Sequence, residues 1–327
     1  MIQTYATLGP ACYRVETLEP MLAAGLTGVR LNLSHKTLVE CRPWVENLHR
    51  AAALTGTQPE LIIDLQGCEI RIGELRHPMT LQGGDTVLMG KLGIPVEPDV
   101  VAAMRPQMEL LLDDGAIELA VESVADGSAR CRILRGGTLE SRKSLFLPDV
   151  DLQRPILSDK DRVDLLLAAE YGVTGIMHPF IRRRRDLEEL RAAMAQKGLS
   201  RLRVFAKVED LVGVENLADW LELADVVTIA RGDLGNAMPL WQLPHVQKQI
   251  SAVCRAHSKP FLLVTHLLES MTHRPVPSRA EVVDIYNACM DGAAAVMLTG
   301  ETAQGKYPVE AVQYLINTVR EAEKDLI

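Results

Sequence analysis

The chain has no CxxC pair. Its six cysteines, Cys12, Cys41, Cys68, Cys131, Cys254 and Cys289, are scattered along 327 residues. That pattern excludes a zinc ribbon and gives no support to a disulfide framework, so the cysteines read as reduced thiols. An excess of positive charge is also missing: 35 Lys and Arg stand against 43 Asp and Glu, a net charge of −8. On global grounds this argues against a nucleic-acid partner or an anionic membrane surface. No apolar run reaches the roughly 18 residues of a membrane span. The N-terminal MIQTYATLGPA is neither basic nor followed by a long apolar stretch, so no leader is read there and a cytoplasmic location is expected. No cluster of His and Cys is spaced for zinc.

What is present is a composition 47% hydrophobic and 24% charged, enough for a large core organised as one big barrel or two domains. Short apolar runs read as strands: IQTYAT, GVRLN, ELIIDL, VTGIMH, RVFAKV, DVVTIA, FLLVT and AAVML. Segments with helical spacing, such as VETLEPMLAAG and KDRVDLLLAAEYG, lie between most of them. Eight strands alternating with helices is the pattern of a (β/α)8 TIM barrel, an α/β fold. One interval breaks the rhythm. Between ELIIDL and VTGIMH lie strand-like pieces separated by GGD, DDG and ADGS turns. They predict a small inserted β domain at 74–154 after the third strand, with 1–73 and 155–327 forming the barrel.

Ionisable and hydroxyl groups recur where these strands end: Arg30, Asn32, Ser34 and His35; Asp64, Glu69 and Arg71; Lys207 and Glu209; Arg231 and Asp233; Thr265; Thr299 and Glu301. Catalytic residues of barrel enzymes occupy that end. Glu209 and Asp233 are the candidate ligands for Mg2+ or Mn2+, which take one or two carboxylates and complete their shell with water and substrate oxygens. In the segment TIARGDLGNAMP the residues after Arg231 can open a short helix whose free N–H groups hold a carboxylate. Lys207 would neutralise charge developing on an enolate or phosphoryl group. Asn32, Ser34 and Asp64 are hard oxygen donors suited to a monovalent cation, although NLSH also reads as a cap or turn.

The blocks ATLGPA, GVRLNLSH, DLQGCEIRIG, LLDDGAIEL, GGTLESRKSLFLP, FIRRRRDL, KVED, IARGDLG, VTHLLESM, RPVPSRAEVVDIYNACMDG and AVMLTGETAQGKYP resemble, in order, those of the pyruvate kinase family. The resemblance implies a barrel with a lid domain, and phosphoryl transfer from phosphoenolpyruvate, or a related enol phosphate, to ADP. It makes Arg30, Lys207 and Thr265 the catalytic set, with Arg30 on the transferring phosphate and Arg71 as its companion. It puts the substrate carboxylate on the backbone of Ala230, Gly232 and Asp233, and Thr228 in the wall beside the substrate methylene. Glu209 and Asp233 fall on the divalent-metal positions; Asn32, Ser34, Asp64 and the carbonyl of Leu65 fall on a K+ site. Glu69 is the residue type of potassium-dependent members. His35, Arg71 and Lys143 fall on the nucleotide side. The implied partners are phosphoenolpyruvate, pyruvate or a related 2-oxo acid, and ADP or ATP.

The chain also departs from the family pattern. Its sequence ends at Ile327, so the family's C-terminal effector domain is expected to be absent and the enzyme non-allosteric. Leu65 and Gln66 replace Thr and Lys, Lys36 replaces a glycine near the nucleotide, and His266 replaces a glutamine beside Thr265. Thr228 replaces an apolar residue, and His178 with Pro179 replaces Ala-Ser. A hydroxyl and two imidazoles near the pocket suggest a more polar substrate. Two other functions stay open: a metal-dependent lyase or aldolase of the same barrel type, and a catalytically silent binding protein. Retention of Arg30, Arg71 and Lys143 weighs against the first; intact Lys207, Glu209, Asp233, Thr265 and Glu301 weigh against the second. Assembly as a homo-oligomer is left open by the sequence.

Overall fold

The computed structural model describes residues 1–34, 36–148 and 150–326. His35, expected on the nucleotide side, lies outside the described residues. Eight strands run β1 (Gln3–Leu8), β2 (Gly28–Asn32), β3 (Glu60–Asp64), β4 (Gly175–His178), β5 (Arg203–Val208), β6 (Val226–Ala230), β7 (Phe261–Val264) and β8 (Ala295–Leu298). Each pairs in parallel with its sequence neighbours among the eight, and β8 pairs with β1, which closes the barrel. The expected (β/α)8 fold is therefore present. The apolar runs of the sequence are these strands, buried on both faces as a parallel sheet requires.

Side chains alternate between two environments. Tyr5, Ile62, Met177, Phe205, Val226, Leu262, Val264, Ala295 and Met297 form one buried cluster, the barrel interior. Their neighbours of opposite parity, such as Ile63, Ile176, Val204, Val227 and Leu263, join the larger core under the helices. Large rings fit inside the barrel because glycine stands beside them: a Cβ at Gly175 would lie 2.7 Å from Phe205 Cε2, and one at Gly28 would lie 2.9 Å from Tyr5 Cε1. The two rings meet edge to face with centroids 6.3 Å apart. At the strands' N-terminal end the Tyr5 hydroxyl donates to Glu60 at 2.7 Å, and Arg203 bonds both groups. Burial, and then the Glu60 carboxylate, hold the Tyr5 phenol above its ordinary range. Following the interior face toward the other end, Ile62 gives way to Asp64, Phe205 to Lys207 and Tyr5 to Thr7. The barrel interior thus ends in a polar layer over an apolar plug.

Helix starts follow the caps written in the sequence. Ser158 and Ser278 each close a capping box, with Asp161 and Glu281 respectively. Asp161 does more than cap. Its carboxylate also accepts the N–H groups of Gln66 and Gly67, at 2.8 and 3.0 Å, so one buried side chain ties the segment leaving β3 to the helix Asp159–Leu167. His178 belongs to the same junction. Its parity is that of Ile176, so it faces outward from the barrel, with ring nitrogens 2.8 Å from the carbonyl of Pro179 and 2.9 Å from that of Ile156. The expectation that this imidazole adds polarity to the pocket is corrected: it braces the chain beside Gly67, where a Cβ would lie 2.6 Å from Pro179 Cγ.

A second compact unit spans Cys68–Pro155, the first comprising Met1–Gly67 and Ile156–Ile327. Glu69 and Arg71, read from the sequence as barrel residues, belong to the second unit because Arg71 bridges Ser144 and Ile72 N–H bonds the Lys143 carbonyl. Its five-stranded sheet runs in the order Leu145–Phe146, Glu109–Leu112, Ile117–Ala125, Ser128–Arg135, Thr86–Gly90, all antiparallel. Asp126 and Gly127, with φ of 52° and 73°, make the two-residue turn of its longest hairpin. The sheet packs Met89, Leu110, Leu119, Cys131 and Ile133 into a core of its own. The six cysteines are free thiols. Among the described residues no helix is long and apolar enough to cross a membrane.

The fit of Gly175 against Phe205 yields a stability test. Gly175→Ala forces the Phe205 ring to move inside a filled barrel, and overpacking of this kind costs about 1–3 kcal/mol. A lowered urea midpoint with unchanged slope is the expected result.

Candidate active site

Four charged side chains converge at the polar end of the barrel. Arg30 on β2 donates from Nε to Asp64 Oδ2 at 2.9 Å and from a terminal nitrogen to the same oxygen at 2.5 Å; its other terminal nitrogen donates to Thr7 Oγ1 at 3.0 Å. Lys207 Nζ lies 3.3 Å from Asp64 Oδ2 and 2.7 Å from Glu209 Oε1. The backbone N–H of Phe180 donates to Glu209 Oε2 at 2.8 Å. The side chains of Asp64 and Glu209 are 2% and 1% exposed, so their charges must be met within the protein or by a ligand.

Electrostatics follow from that burial. Desolvation alone would lower the Lys207 pKa, but Asp64 and then Glu209 outweigh it, and the ammonium is held above its ordinary range. Desolvation raises the Glu209 carboxyl, against the downward pull of Lys207. Arg30 and Asp233 also act on Lys207, which places three carboxylates and two cations in one neighbourhood. One carboxylate oxygen, Asp64 Oδ1, stays without a hydrogen-bond partner, while Glu209 Oε1 is met by the Lys207 ammonium at 2.7 Å. Buried carboxylate oxygens are the donor chemistry of a hard cation. Among the described residues no three His, Cys, Asp or Glu side chains form a closed metal cage. A Mg2+ ion that keeps water and substrate oxygens needs no such cage.

The neighbouring candidates divide by role. Asn32 and Asp64 are register partners on β2 and β3, and Asn32 Oδ1 accepts the Ser34 N–H at 3.0 Å. Leu65 N–H bonds the Met177 carbonyl. Asn32, Ser34, Asp64 and Leu65 therefore share the ends of two adjacent strands. The loop after β2 is fastened by two residues not singled out in the sequence: Lys160 Nζ donates to the Leu33 carbonyl at 2.6 Å, and Asp164 accepts Leu38 N–H at 2.8 Å. Lys36 stands over the Trp44 ring, 5.5 Å from its centroid. In the second unit Arg71 pairs with Glu69 at 2.7 Å, and Lys143 with Asp113 at 2.8 Å.

Beyond β6 the helix Arg231–Asn236 starts directly at the strand end. Gly232 packs closely there: a Cβ would lie 3.2 Å from Thr265 Cγ2. Thr265 and His266 have φ of 79° and 55°, a left-handed backbone that a β-branched residue adopts only under constraint. Arg231 supplies the constraint. Its guanidinium donates to the Thr265 carbonyl at 3.1 and 2.8 Å and to the His266 carbonyl at 3.0 Å, and pairs with Asp284 at 2.7 Å. Glu301 is a second bracket, accepting Leu268 N–H at 2.9 Å and Thr299 N–H at 2.7 Å. The His266 side chain is exposed, so the expectation that it polarises the pocket is also corrected. Thr228 is the one of the three substitutions that faces the interior: it shares parity with Val226 and Ala230 and is a register partner of Lys207.

The bracket carries a prediction. Arg231→Lys keeps the charge but loses the planar fork that spans two carbonyls and a carboxylate. Release of the strained turn should cost roughly 1–3 kcal/mol. Hydrogen exchange should quicken at Leu268 while the exchange of the β1 amides stays slow; unchanged exchange at Leu268 would remove the bracing role.

Comparison with known proteins bears on this geometry. Residues 2–312 match the family model described as "Pyruvate kinase, barrel domain". The chain is 38% identical to a pyruvate kinase of Aeropyrum pernix, over 99% of its own length and 71% of the relative's. It is 36% identical to one of Agrobacterium vitis, over 98% and 67%. To one of Geobacillus stearothermophilus it is 34% identical, over 98% of this chain and 56% of the relative.

Proposed function

The chain belongs to the pyruvate kinase family, and from that premise we propose that its barrel site moves a phosphoryl group from phosphoenolpyruvate to ADP. The observation that carries the proposal is the buried set of Arg30, Asp64, Lys207 and Glu209, two cations held between two carboxylates at the polar end of the barrel.

In the proposed reaction the bond between the enol oxygen and phosphorus breaks and a bond from phosphorus to a β-phosphate oxygen of ADP forms. The transferring group is short of covalent chemistry for the protein to do, so the task is positioning and charge neutralisation. Arg30, fixed by Asp64 and Thr7, presents its guanidinium to the phosphoryl oxygens. Lys207 meets the charge that grows on the enol oxygen as the bond to phosphorus opens. Because both cations are held by buried carboxylates before substrate arrives, little reorganisation is needed during the step. The enolate is then protonated on its methylene carbon, and Thr265, held in place by Arg231, lies beside that carbon. The amides following Ala230, including those of Gly232 and Asp233, take the substrate carboxylate.

The donor set fits a divalent cation held by Glu209 and Asp233, with Asn32, Ser34, Asp64 and the Leu65 carbonyl for K+. When bound, these cations supply charge neutralisation and a template for the phosphate oxygens.

Pyruvate formation from phosphoenolpyruvate and ADP with Mg2+, with and without K+, tests the reading. Potassium-stimulated turnover is expected. Lys207→Met should lower it by at least about a hundredfold, the scale of losing one preorganised electrostatic group, with circular dichroism verifying that the variant is folded. Full activity in that variant would overturn the role of Lys207, and no turnover by the native chain would overturn the phosphotransferase reading.

A further inference from the structure

The peptide between Pro179 and Phe180 is held at both ends by side chains. The ladder of β4 with β5 runs to His178, opposite Ala206. Pro179 has no N–H to continue it, and the chain rejoins β5 where Ile181 N–H bonds the Lys207 carbonyl at 3.2 Å. The peptide in between lies outside the sheet, so its polar groups need other partners. Its N–H donates to Glu209 Oε2 at 2.8 Å. Its carbonyl oxygen lies 2.8 Å from His178 Nδ1. In a trans peptide the two groups point in opposite directions from one rigid plane. That plane therefore reaches from an imidazole on the outer side of the barrel to a carboxylate at its mouth.

Phe180 has φ of 50°, a left-handed backbone that a residue with a side chain keeps only where its surroundings impose it. His178 is placed to impose it. The residue is 1% exposed, and a Cβ at Gly67 would lie 3.3 Å from its Cε1, so the ring is packed in position. Its Nε2 lies 2.9 Å from the carbonyl of Ile156, the first residue of the barrel unit after the inserted one. Carbonyl oxygens only accept. A neutral ring therefore donates to one of its two neighbours and an imidazolium to both; the hold on the peptide requires a proton on Nδ1.

We propose that His178 is a positioning residue for Glu209. By donating from Nδ1 to the Pro179 carbonyl it fixes the peptide whose N–H orients the Glu209 carboxylate, and so presets the divalent-cation site. The inference rests on the phosphotransferase reading, in which Glu209 is a ligand of that cation. Both Glu209 oxygens are then oriented by the protein, Oε2 by the Phe180 N–H and Oε1 by Lys207 at 2.7 Å. Each oxygen keeps a second lone pair for the cation. A carboxylate aligned in advance has less freedom to lose when the ion binds. His178 touches neither ion nor substrate; it acts through one peptide.

Two amide variants separate the two ring contacts. In His178→Asn the side-chain nitrogen takes the place of Nδ1 and keeps a donor at the Pro179 carbonyl. In His178→Gln the donor takes the place of Nε2, toward Ile156. Exchange of the Phe180 amide is followed by NMR in the metal-free protein, and Mg2+ binding by calorimetry. In the glutamine variant the Phe180 amide should exchange faster by at least about tenfold, the scale of one lost hydrogen bond. Its Mg2+ dissociation constant should rise about tenfold, the lower end of what the outer partners of metal ligands contribute. Its turnover of phosphoenolpyruvate should recover as Mg2+ is raised. The asparagine variant should stay near the native protein in all three. Nitrogen NMR of the native ring, which needs no variant, should show a proton on Nδ1. A ring protonated on Nε2 alone, or equal effects of the two substitutions on Phe180 exchange and Mg2+ binding, would overturn the positioning role. Native turnover of phosphoenolpyruvate, measured alongside, would then still support the phosphotransferase reading. Absence of both Mg2+ binding and turnover in the native protein would overturn the two together.

Discussion

Asp64 is the charge on which the polar end of the barrel depends. One of its oxygens receives two bonds from Arg30 and the approach of Lys207, and the side chain is almost wholly removed from water. An ion buried without partners costs several kcal/mol, and removing one partner from a buried pair leaves the other uncompensated. The geometry that brings the partners together comes from the strands. Arg30 arrives from β2, the direct neighbour of β3. Lys207 arrives from β5, which lies beyond β4, and its long side chain reaches across to Asp64 at 3.3 Å. After β4 the chain turns at Phe180, with φ of 50°, and the turn aims the Phe180 N–H at Glu209. A long side chain and a strained turn thus let two cations and two carboxylates meet in the middle of the barrel mouth.

The same economy of partners explains the rigidity of the opposite rim. Thr265 carries a backbone conformation unfavourable for its residue type, and three hydrogen bonds from Arg231 to the carbonyls of Thr265 and His266 hold it there. Glu301 fixes the next turn through Leu268 and Thr299. Charged residues that look catalytic by position therefore serve two purposes. Lys207 and Arg30 keep their charges toward the interior, whereas Arg231 and Glu301 spend theirs on backbone. For a reaction governed by orientation and charge, a rim that does not relax is part of how the interior groups stay in place.

Much of this was legible in the residues. Eight apolar runs became eight strands, and the turn signals between ELIIDL and VTGIMH became hairpins of a separate unit. Lys207 on β5 and Glu209 just past its end are two residues apart in extended chain, a spacing that puts them on one face. What could not be read was direction. His178 follows Met177 by one residue and so faces outward, yet its parity relative to the barrel interior depends on register with β3 and β5. His266 differs from Thr265 by one position at a turn where strand alternation has ceased. Arg231 sat in a motif whose charge suggested a ligand, and only the fold brings the Thr265 and His266 carbonyls and Asp284 within its reach. Thr7, Lys160 and the Phe180 N–H carried no signal, because a lone threonine, a helix lysine and a backbone amide look alike everywhere in a sequence. Glu69 and Arg71 were assigned to the barrel by nearness to β3, whereas long-range bonds to residues 142–144 decide the unit they join.

Specificity in such a site has to reside away from its charges. The phosphate and the carboxylate are common to every enol phosphate of a 2-oxo acid, so residues that bind them raise affinity for the whole class without choosing within it. Choice falls to whatever lines the remaining carbon. In an aliphatic wall an added methylene changes discrimination only modestly, while a hydroxyl that must find a partner changes it by orders of magnitude.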